Sequence, residues 1–274
     1  MFNQLEILSD EQNEKLYTIR KYIKNLESVC VAYSGGVDST LVASLAFEQL
    51  GSKAIAITGI SPALANSLRE EAKSQAKWIG IKQLEIKTSE LEQSNYSKNP
   101  KDRCFSCKKE LHKHTTFLSK KLNYKIVLDG VNRDDLKDFR PGIKASKEAG
   151  VISPLAKFKF SKQDIRDISK ALGFPWWDKP AQPCLSSRFP YGHEITSDRL
   201  KMVEKAEEYL KEGGLSEVRV RCQGSTARIE IPQDDIKYFF NKYNFTELVQ
   251  YFSNLGFNCT SLDLEGLISG KLNR

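Results

Sequence analysis

Apolar positions Leu16, Ile19, Ile23 and Leu26 recur at steps of three or four through residues 10–26, the stripe of an amphipathic helix. Residues 28–33 form a short apolar run ending in Ser34-Gly35-Gly36, and residues 38–50 are rich in helix formers and stop at Gly51. The order is strand, glycine loop, helix. Residues 53–60 predict a second buried strand, 62–79 a helix closed by Gly80, and 82–87 a third strand. This alternation predicts an α/β fold on a doubly wound parallel sheet.

The polar stretch 91–103, with Asn95, Ser97, Asn99 and Pro100, predicts a loop delivering Cys104 and Cys107 to the start of a helix that ends near residue 122. Residues 125–129 predict another strand. The charged, turn-rich stretch 130–150 predicts a long functional or mobile loop, and 161–172 returns to helix. Pro175, Pro180, Pro183 and Pro190 then mark an irregular connector, which places a domain boundary between 1–180 and 181–274. In the second part, 197–210 predicts a helix, 217–221 and 226–231 a half-exposed antiparallel pair, 234–255 a helix, and 260–264 a strand. The expectation is a small C-terminal α+β domain, with no internal repeat and no low-complexity tract.

Composition narrows the class. Of 274 residues, 40% are hydrophobic and 28% charged, which excludes collagen-like, disordered and disulfide-scaffold chains. The longest apolar stretches, 53–60 and 27–33, fall far short of the roughly 20 residues that span a bilayer, so no membrane segment is expected. Residues 1–10 are acidic and lack the layout of a signal peptide, so a cytoplasmic location is expected. Lys and Arg number 42 against 35 acids, a net charge of +7 that suits an anionic partner (nucleotide, phosphorylated metabolite or RNA) or a solvated lysine-rich surface. Six cysteines in an intracellular chain point to thiol or metal chemistry rather than disulfides.

Ala32-Tyr33-Ser34-Gly35-Gly36-Val37-Asp38-Ser39-Thr40 sits between strand and helix, where backbone N–H groups can hold an anion. Ser34 and Ser39 add hydroxyls, and Asp38 can hold the Mg²⁺ of a nucleoside triphosphate. Neither the Gly-Lys-Ser ending of a Walker A loop nor Gly-x-Gly-x-x-Gly is present. The segment resembles the PP-loop of ATP pyrophosphatases, Ser-Gly-Gly-x-Asp-Ser. That resemblance implies ATP-driven adenylylation with release of pyrophosphate, and assigns Ser34, Gly35, Gly36, Val37, Asp38 and Ser39 to the phosphates.

Other segments narrow the substrate: Arg103-Cys104-Phe105-Ser106-Cys107-Lys108, Asp129-Gly130-Val131-Asn132-Arg133-Asp134-Asp135, Asp138-Phe139-Arg140-Pro141-Gly142, and Trp177-Asp178-Lys179-Pro180-Ala181-Gln182-Pro183-Cys184-Leu185-Ser186-Ser187-Arg188-Phe189-Pro190-Tyr191-Gly192. With Val218-Arg219-Val220-Arg221, Ala227-Arg228-Ile229-Glu230 and the tail 260–273, they resemble the LarE family across nearly the whole chain. The resemblance implies an ATP-dependent sulfur transferase of nickel-pincer nucleotide synthesis. Such an enzyme adenylylates the carboxylates of pyridinium-3,5-biscarboxylic acid mononucleotide and converts them to thiocarboxylates. It also implies a homo-oligomer, a sulfide donor and no nucleic-acid partner. A tRNA 2-thiolation enzyme and an amide-forming PP-loop synthetase stand as alternatives.

Some members of that family spend one cysteine as a sulfur donor, while others hold a 4Fe-4S cluster on three cysteines. Cys104, Cys107 and Cys184 supply three thiolates, one fewer than full ligation, which leaves one iron open. A sacrificial Cys184, a zinc site using Cys104, Cys107, His112 and His114, and plain reduced thiols are the alternatives. Cys30, Cys222 and Cys259 are expected to be small apolar fillers of strands. His193 is expected to be structural or exposed.

Arg219 and Arg221, two apart on a strand, share a face suited to gripping phosphate, or else lie on a solvated outer surface. The resemblance makes them candidates for the substrate phosphate. Arg188 is expected to steady the adenylate, Asp129 and Asp135 to contact metal or substrate, and Trp176 and Trp177 to pack. The active site is expected where the two domains meet.

Overall fold

A computed structural model describes residues 2–137, 141–268 and 270–271. The helices are α1 (Asp10–Lys24), α2 (Val37–Leu50), α3 (Asn66–Ile79), α4 (Ser94–Ser97), α5 (Arg103–Lys121), α6 (Pro141–Glu148), α7 (Pro154–Lys157), α8 (Lys162–Ala171), α9 (Ser197–Glu212), α10 (Ile236–Lys242) and α11 (Phe245–Leu255). The strands are β1 (Val29–Ala32), β2 (Ala54–Ile60), β3 (Lys82–Lys87), β4 (Ile126–Leu128), β5 (Arg219–Gln223), β6 (Thr226–Glu230) and β7 (Cys259–Leu262). Two compact units result. Met1–Ser61, Asn66–Glu90 and Asp102–Gln182 form one, and Pro62–Ala65, Leu91–Lys101 and Pro183–Arg274 the other. Among the described residues no helix is long and apolar enough to cross a membrane.

The first unit is built on a parallel sheet in the order β3-β2-β1-β4. Every residue of β1 is buried, as a strand covered on both faces requires. Alternate residues feed the two faces. Val29, Val31, Ala54 and Ala56 pack with Leu16, Ile19 and Ile23 of α1, Leu41 and Leu45 of α2, and Ile165 and Ile168 of α8. Cys30, Ile55, Ile57 and Val127 point the other way, towards Leu118 of α5. The outer strand β3 has only exposed and half-buried residues and carries a lysine at each end, which discourages edge pairing. Helices α1 and α8 both start on capping boxes, Ser9 with Gln12 and Ser161 with Asp164.

In the second unit, β5 and β6 pair antiparallel across the turn Gly224-Ser225, where Gly224 holds φ 63°, and β7 joins β6 in parallel. Leu200, Val203 and Leu210 of α9 are buried, as are Val220, Ile229, Phe239, Leu248 and Phe252.

Several boundaries depart from the sequence reading. The helix expected from residue 62 starts at Asn66, and Ala63 instead accepts a hydrogen bond from the Leu185 N–H. The expected loop 91–103 contains α4, whose Tyr96 is buried with its hydroxyl 2.6 Å from Ser186 Oγ. The expected loop 130–150 contains a 3₁₀ turn at Asp134–Lys137 and the helix α6. Asp138, Phe139 and Arg140 of the quoted motif lie outside the described residues. The helix expected over 234–255 breaks into α10 and α11 because Asn244 turns its side chain to cap α11, accepting from the N–H groups of Thr246 and Glu247. Cys259, expected as a buried filler, is exposed at the start of β7, where the strand lies at the sheet edge.

Candidate active site

The strand order places the topological switch between β1 and β4, since β1 leads outward to β2 while β4 lies on its other side. Ligands of doubly wound sheets bind beyond the carboxyl ends of the strands at such a point. The glycine loop leaves β1 there, and Asp129 follows β4.

Gly35 has φ 75°, and a Cβ on it would sit 2.9 Å from Ala72 Cβ, so both conformation and space demand glycine. Gly36 caps α2 in extended geometry without a side-chain hydrogen bond, leaving the first N–H groups of α2 available to an anion. Ser39 Oγ donates to the Gly36 carbonyl (3.1 Å) and accepts from the Ser34 N–H (3.2 Å), and the two serine hydroxyls lie 3.1 Å apart. Thr40 and Tyr33 both donate to Gln75 Oε1 at 3.1 Å, tying the loop to α3. Burial pushes the Tyr33 hydroxyl up to about 12, so it remains a donor. A Cβ on Gly130 would lie 2.7 Å from Ser39 N, so glycine lets the chain after β4 press against the start of α2.

Asp38 stands in the first turn of α2. Its Oδ1 accepts from Asn132 Nδ2 (3.0 Å) and its Oδ2 from Lys162 Nζ (2.5 Å). Asp129 is buried, with Oδ1 accepting from the Val131 N–H (3.2 Å). Asp135 accepts the Asn132 N–H (3.1 Å). Asn132 and Lys162, which hold the two oxygens of Asp38, carry no role in the sequence reading. Asn132 belongs to the 129–135 motif, and Lys162 has no signal in the sequence beyond its place after the Ser161 cap.

Cys104 and Cys107 lie within the first five residues of α5, three apart and so on one face; Cys104 is exposed and Cys107 half-buried. Among the described residues no group of three or more His, Cys, Asp or Glu side chains is gathered as a metal site. His112, considered for zinc, is fully buried with Nε2 2.8 Å from Ser146 Oγ, and His114 Nε2 lies 2.8 Å from Glu110 Oε1. Cys30 and Cys222 are buried, and burial pushes the Cys30 thiol up to about 11, which makes it inert. Trp176 packs edge-on to Trp78 at 5.1 Å, and Lys170 lies over the Trp177 ring at 5.2 Å.

In the second unit, Cys184 is exposed at the start of the 3₁₀ turn Leu185–Arg188. Arg188 closes that turn. It binds Glu207 through two hydrogen bonds (2.8 and 2.9 Å) and donates to the carbonyls of Pro183 (2.8 Å) and Cys184 (3.3 Å). Burial disfavours its charge, but Glu207 more than compensates and raises its pKa. Arg221 is buried, donating to Glu230 Oε2 (2.8 Å) and to the Ser187 carbonyl (2.6 Å). Arg228 reaches the other Glu230 oxygen at 3.1 Å.

Arg219 differs. It is half-buried, and its side chain has no hydrogen bond or ion pair among the described residues. Burial, then the charges of Arg188 and Arg221, hold its pKa below the ordinary guanidinium value. Arg188 is paired with Glu207, Arg221 with Glu230, and Arg228 with Glu230 and Asp263, so Arg219 is the arginine of this cluster whose charge no carboxylate contacts among the described residues, which suits an anion. The solvated outer face weighed for these arginines is thus not where Arg221 lies. Glu207 and Glu230, which organise the cluster, were also missed, since an acid on an amphipathic helix or a strand reads as surface.

The model of the NAD synthase family matches residues 12–120, a span that includes the glycine loop. Over 263 residues the chain is 35% identical to the pyridinium-3,5-bisthiocarboxylic acid mononucleotide synthase of Lactiplantibacillus plantarum, covering 94% of each. The chain belongs to the LarE family. It is also 52% identical over 260 residues to an uncharacterized protein of Synechocystis sp., covering 95% of this chain and 97% of that one. An uncharacterized protein of Methanocaldococcus jannaschii is 34% identical over 247 residues, covering 90% of this chain and 93% of its own. As a LarE member with a PP-loop, the protein is an ATP-dependent enzyme.

Proposed function

We propose that the protein adenylylates the carboxylates of pyridinium-3,5-biscarboxylic acid mononucleotide and converts them to thiocarboxylates. The observation that carries this reading is the occurrence, in a chain with a PP-loop, of motif thiols that reach solvent. Cys104 and Cys184 are exposed, whereas an amide-forming synthetase needs no thiol. The N–H groups opening α2, with Ser34 and Ser39, hold the ATP phosphates, and Asp38 is the carboxylate for Mg²⁺. A substrate carboxylate oxygen attacks the α-phosphorus, the bond to the bridging oxygen breaks, and pyrophosphate leaves. Sulfide then attacks the acyl carbon of the adenylate, the bond to the AMP oxygen breaks, and AMP departs with the thiocarboxylate left behind.

Arg219 is the ligand for the substrate's phosphate. Arg221, on the same strand face, lends charge while bound to Glu230. Arg188 fixes the turn that presents Cys184. Cys104, Cys107 and Cys184 are an all-thiol donor set, none of them in a disulfide, which suits iron and sulfur rather than a hard cation. A 4Fe-4S cluster, if held by Cys104, Cys107 and Cys184, would supply exchangeable sulfide. Cys104 and Cys107 stand on α5, and Cys184 opens the turn that Arg188 closes.

Iron and acid-labile sulfide per chain, measured after oxygen-free purification, test the thiol assignment. About four of each, lost in Cys104→Ala, is the expected result. None in either protein, with the chain losing one sulfur mass after turnover, would reassign Cys184 as a sacrificial donor.

A further inference from the structure

Asp38 is the carboxylate assigned to Mg²⁺, yet both of its oxygens are engaged, and by two very different donors. Asn132 is buried and fixed: its Oδ1 accepts from the N–H groups of Asp134 (2.8 Å) and Asp135 (3.0 Å), and its own N–H binds Asp135. Its amide therefore reaches Asp38 Oδ1 from a rigid base and carries no charge. Lys162 is fixed only at its backbone, where its N–H donates to Asp134 Oδ2 (2.8 Å) at the start of α8. Beyond that anchor runs a flexible four-carbon stem whose ammonium is 2.5 Å from Asp38 Oδ2, with about a third of the side chain exposed.

An ammonium and a divalent cation compete for the same oxygen and repel each other. Mg²⁺ demands close, near-ideal octahedral oxygen ligands, so it cannot share Oδ2 with Lys162 at this distance. Asn132 poses no such conflict, because a neutral amide on Oδ1 leaves Oδ2 free to ligate. The triphosphate that accompanies Mg²⁺ meanwhile offers Lys162 a new anionic partner within reach of the same loop.

We propose that Lys162 exchanges partners during nucleotide binding. It neutralises Asp38 in the nucleotide-free enzyme and releases the carboxylate to Mg²⁺ as its ammonium turns to the phosphates, while Asn132 holds Asp38 in place throughout. This inference rests on the ATP and Mg²⁺ reading of the site. It makes Lys162 at once a brake on Mg²⁺ binding without nucleotide and a ligand of the nucleotide itself. A lysine that merely tied α8 to α2 would do neither.

The two roles separate in calorimetric titrations of Lys162→Met, with Lys162→Arg alongside. The probes are Mg²⁺ alone and Mg²⁺ with α,β-methylene ATP, whose α–β linkage cannot be cleaved. In Lys162→Met, Mg²⁺ alone is expected to bind at least threefold more tightly than in the parent, and the Mg²⁺-loaded analogue at least tenfold more weakly. Lys162→Arg is expected to fall between. The Ser161–Asp164 capping box remains in both variants, and a thermal melt confirms folding. Unchanged Mg²⁺ affinity in folded Lys162→Met would overturn the exchange. Asp38→Asn separates that failure from failure of the underlying reading: if it binds Mg²⁺ and the analogue like the parent, Asp38 is not the metal carboxylate at all.

Discussion

Replacing Arg188 with methionine removes the guanidinium but keeps much of the apolar stem. Glu207 is 4% exposed and would lose both charged hydrogen bonds, retaining only the Val220 N–H at 3.0 Å. Breaking a buried pair from one side costs about 3–5 kcal/mol, because the remaining charge stays desolvated. Replacing both partners with apolar groups, Arg188→Met with Glu207→Leu, recovers all but about 1 kcal/mol. With a urea slope of about 2 kcal/mol/M, the single variant's midpoint falls by roughly 2 M. Trp78, Trp176 and Trp177 all belong to the first unit, so tryptophan fluorescence does not watch this region. Amide exchange in α9 and β5 does, and it should rise sharply in the single variant and recover in the double. Reduced activity in Arg188→Met with unchanged stability would refute the reasoning and return Arg188 to direct contact with the adenylate.

Two further outcomes follow from charges in distinct settings. Arg219→Ala removes a guanidinium that has no hydrogen-bond or ion-pair partner among the described residues, so the melting temperature should hold or rise, while KM for the mononucleotide should increase at least tenfold, about 1.4 kcal/mol of a lost charged hydrogen bond. Steady-state kinetics beside a thermal melt checks this, and an unchanged KM would remove Arg219 from the substrate site. Burial, then the nearby Lys108, depresses the His112 pKa to about 4, so the folded protein keeps that ring neutral while the unfolded chain protonates it near 6.5. Stability from this group is therefore complete above pH 6.5 and declines as pH falls from there towards 4, by about 2 kcal/mol at pH 5. Urea unfolding of parent and His112→Gln at pH 7.5 and pH 5 should show the difference, and equal pH slopes would contradict it.

The first unit was largely legible because its signals are local. The buried runs of β1 and β2, the stripe of α1 and the glycines before α2 each announce themselves within a few residues. Elements set by distant partners were not. Residues 62–65 pair with Leu185 instead of continuing into α3, and Tyr96 is buried through a hydroxyl contact with Ser186 ninety residues away. The break at Asn244 was readable in principle, since asparagine before Phe-Thr-Glu is a cap signal, but the aromatic run around it hid the cap. At the site, loop residues were visible by motif, whereas Gln75, Lys162, Glu207 and Glu230 act through tertiary pairing that no spacing reveals. Arg219 and Arg221 looked equivalent in sequence. Only the structure separates the paired arginine from the unpaired one.

Mass spectrometry of the mononucleotide tests sulfur transfer most directly. The substrate is incubated without oxygen with enzyme, ATP, Mg²⁺ and sulfide, and AMP and pyrophosphate are counted alongside. Replacement of carboxylate oxygen by sulfur, one AMP and one pyrophosphate per sulfur gained, is the predicted result. Pyrophosphate release with an unaltered substrate, or with nitrogen in place of oxygen when ammonia is supplied, would contradict it.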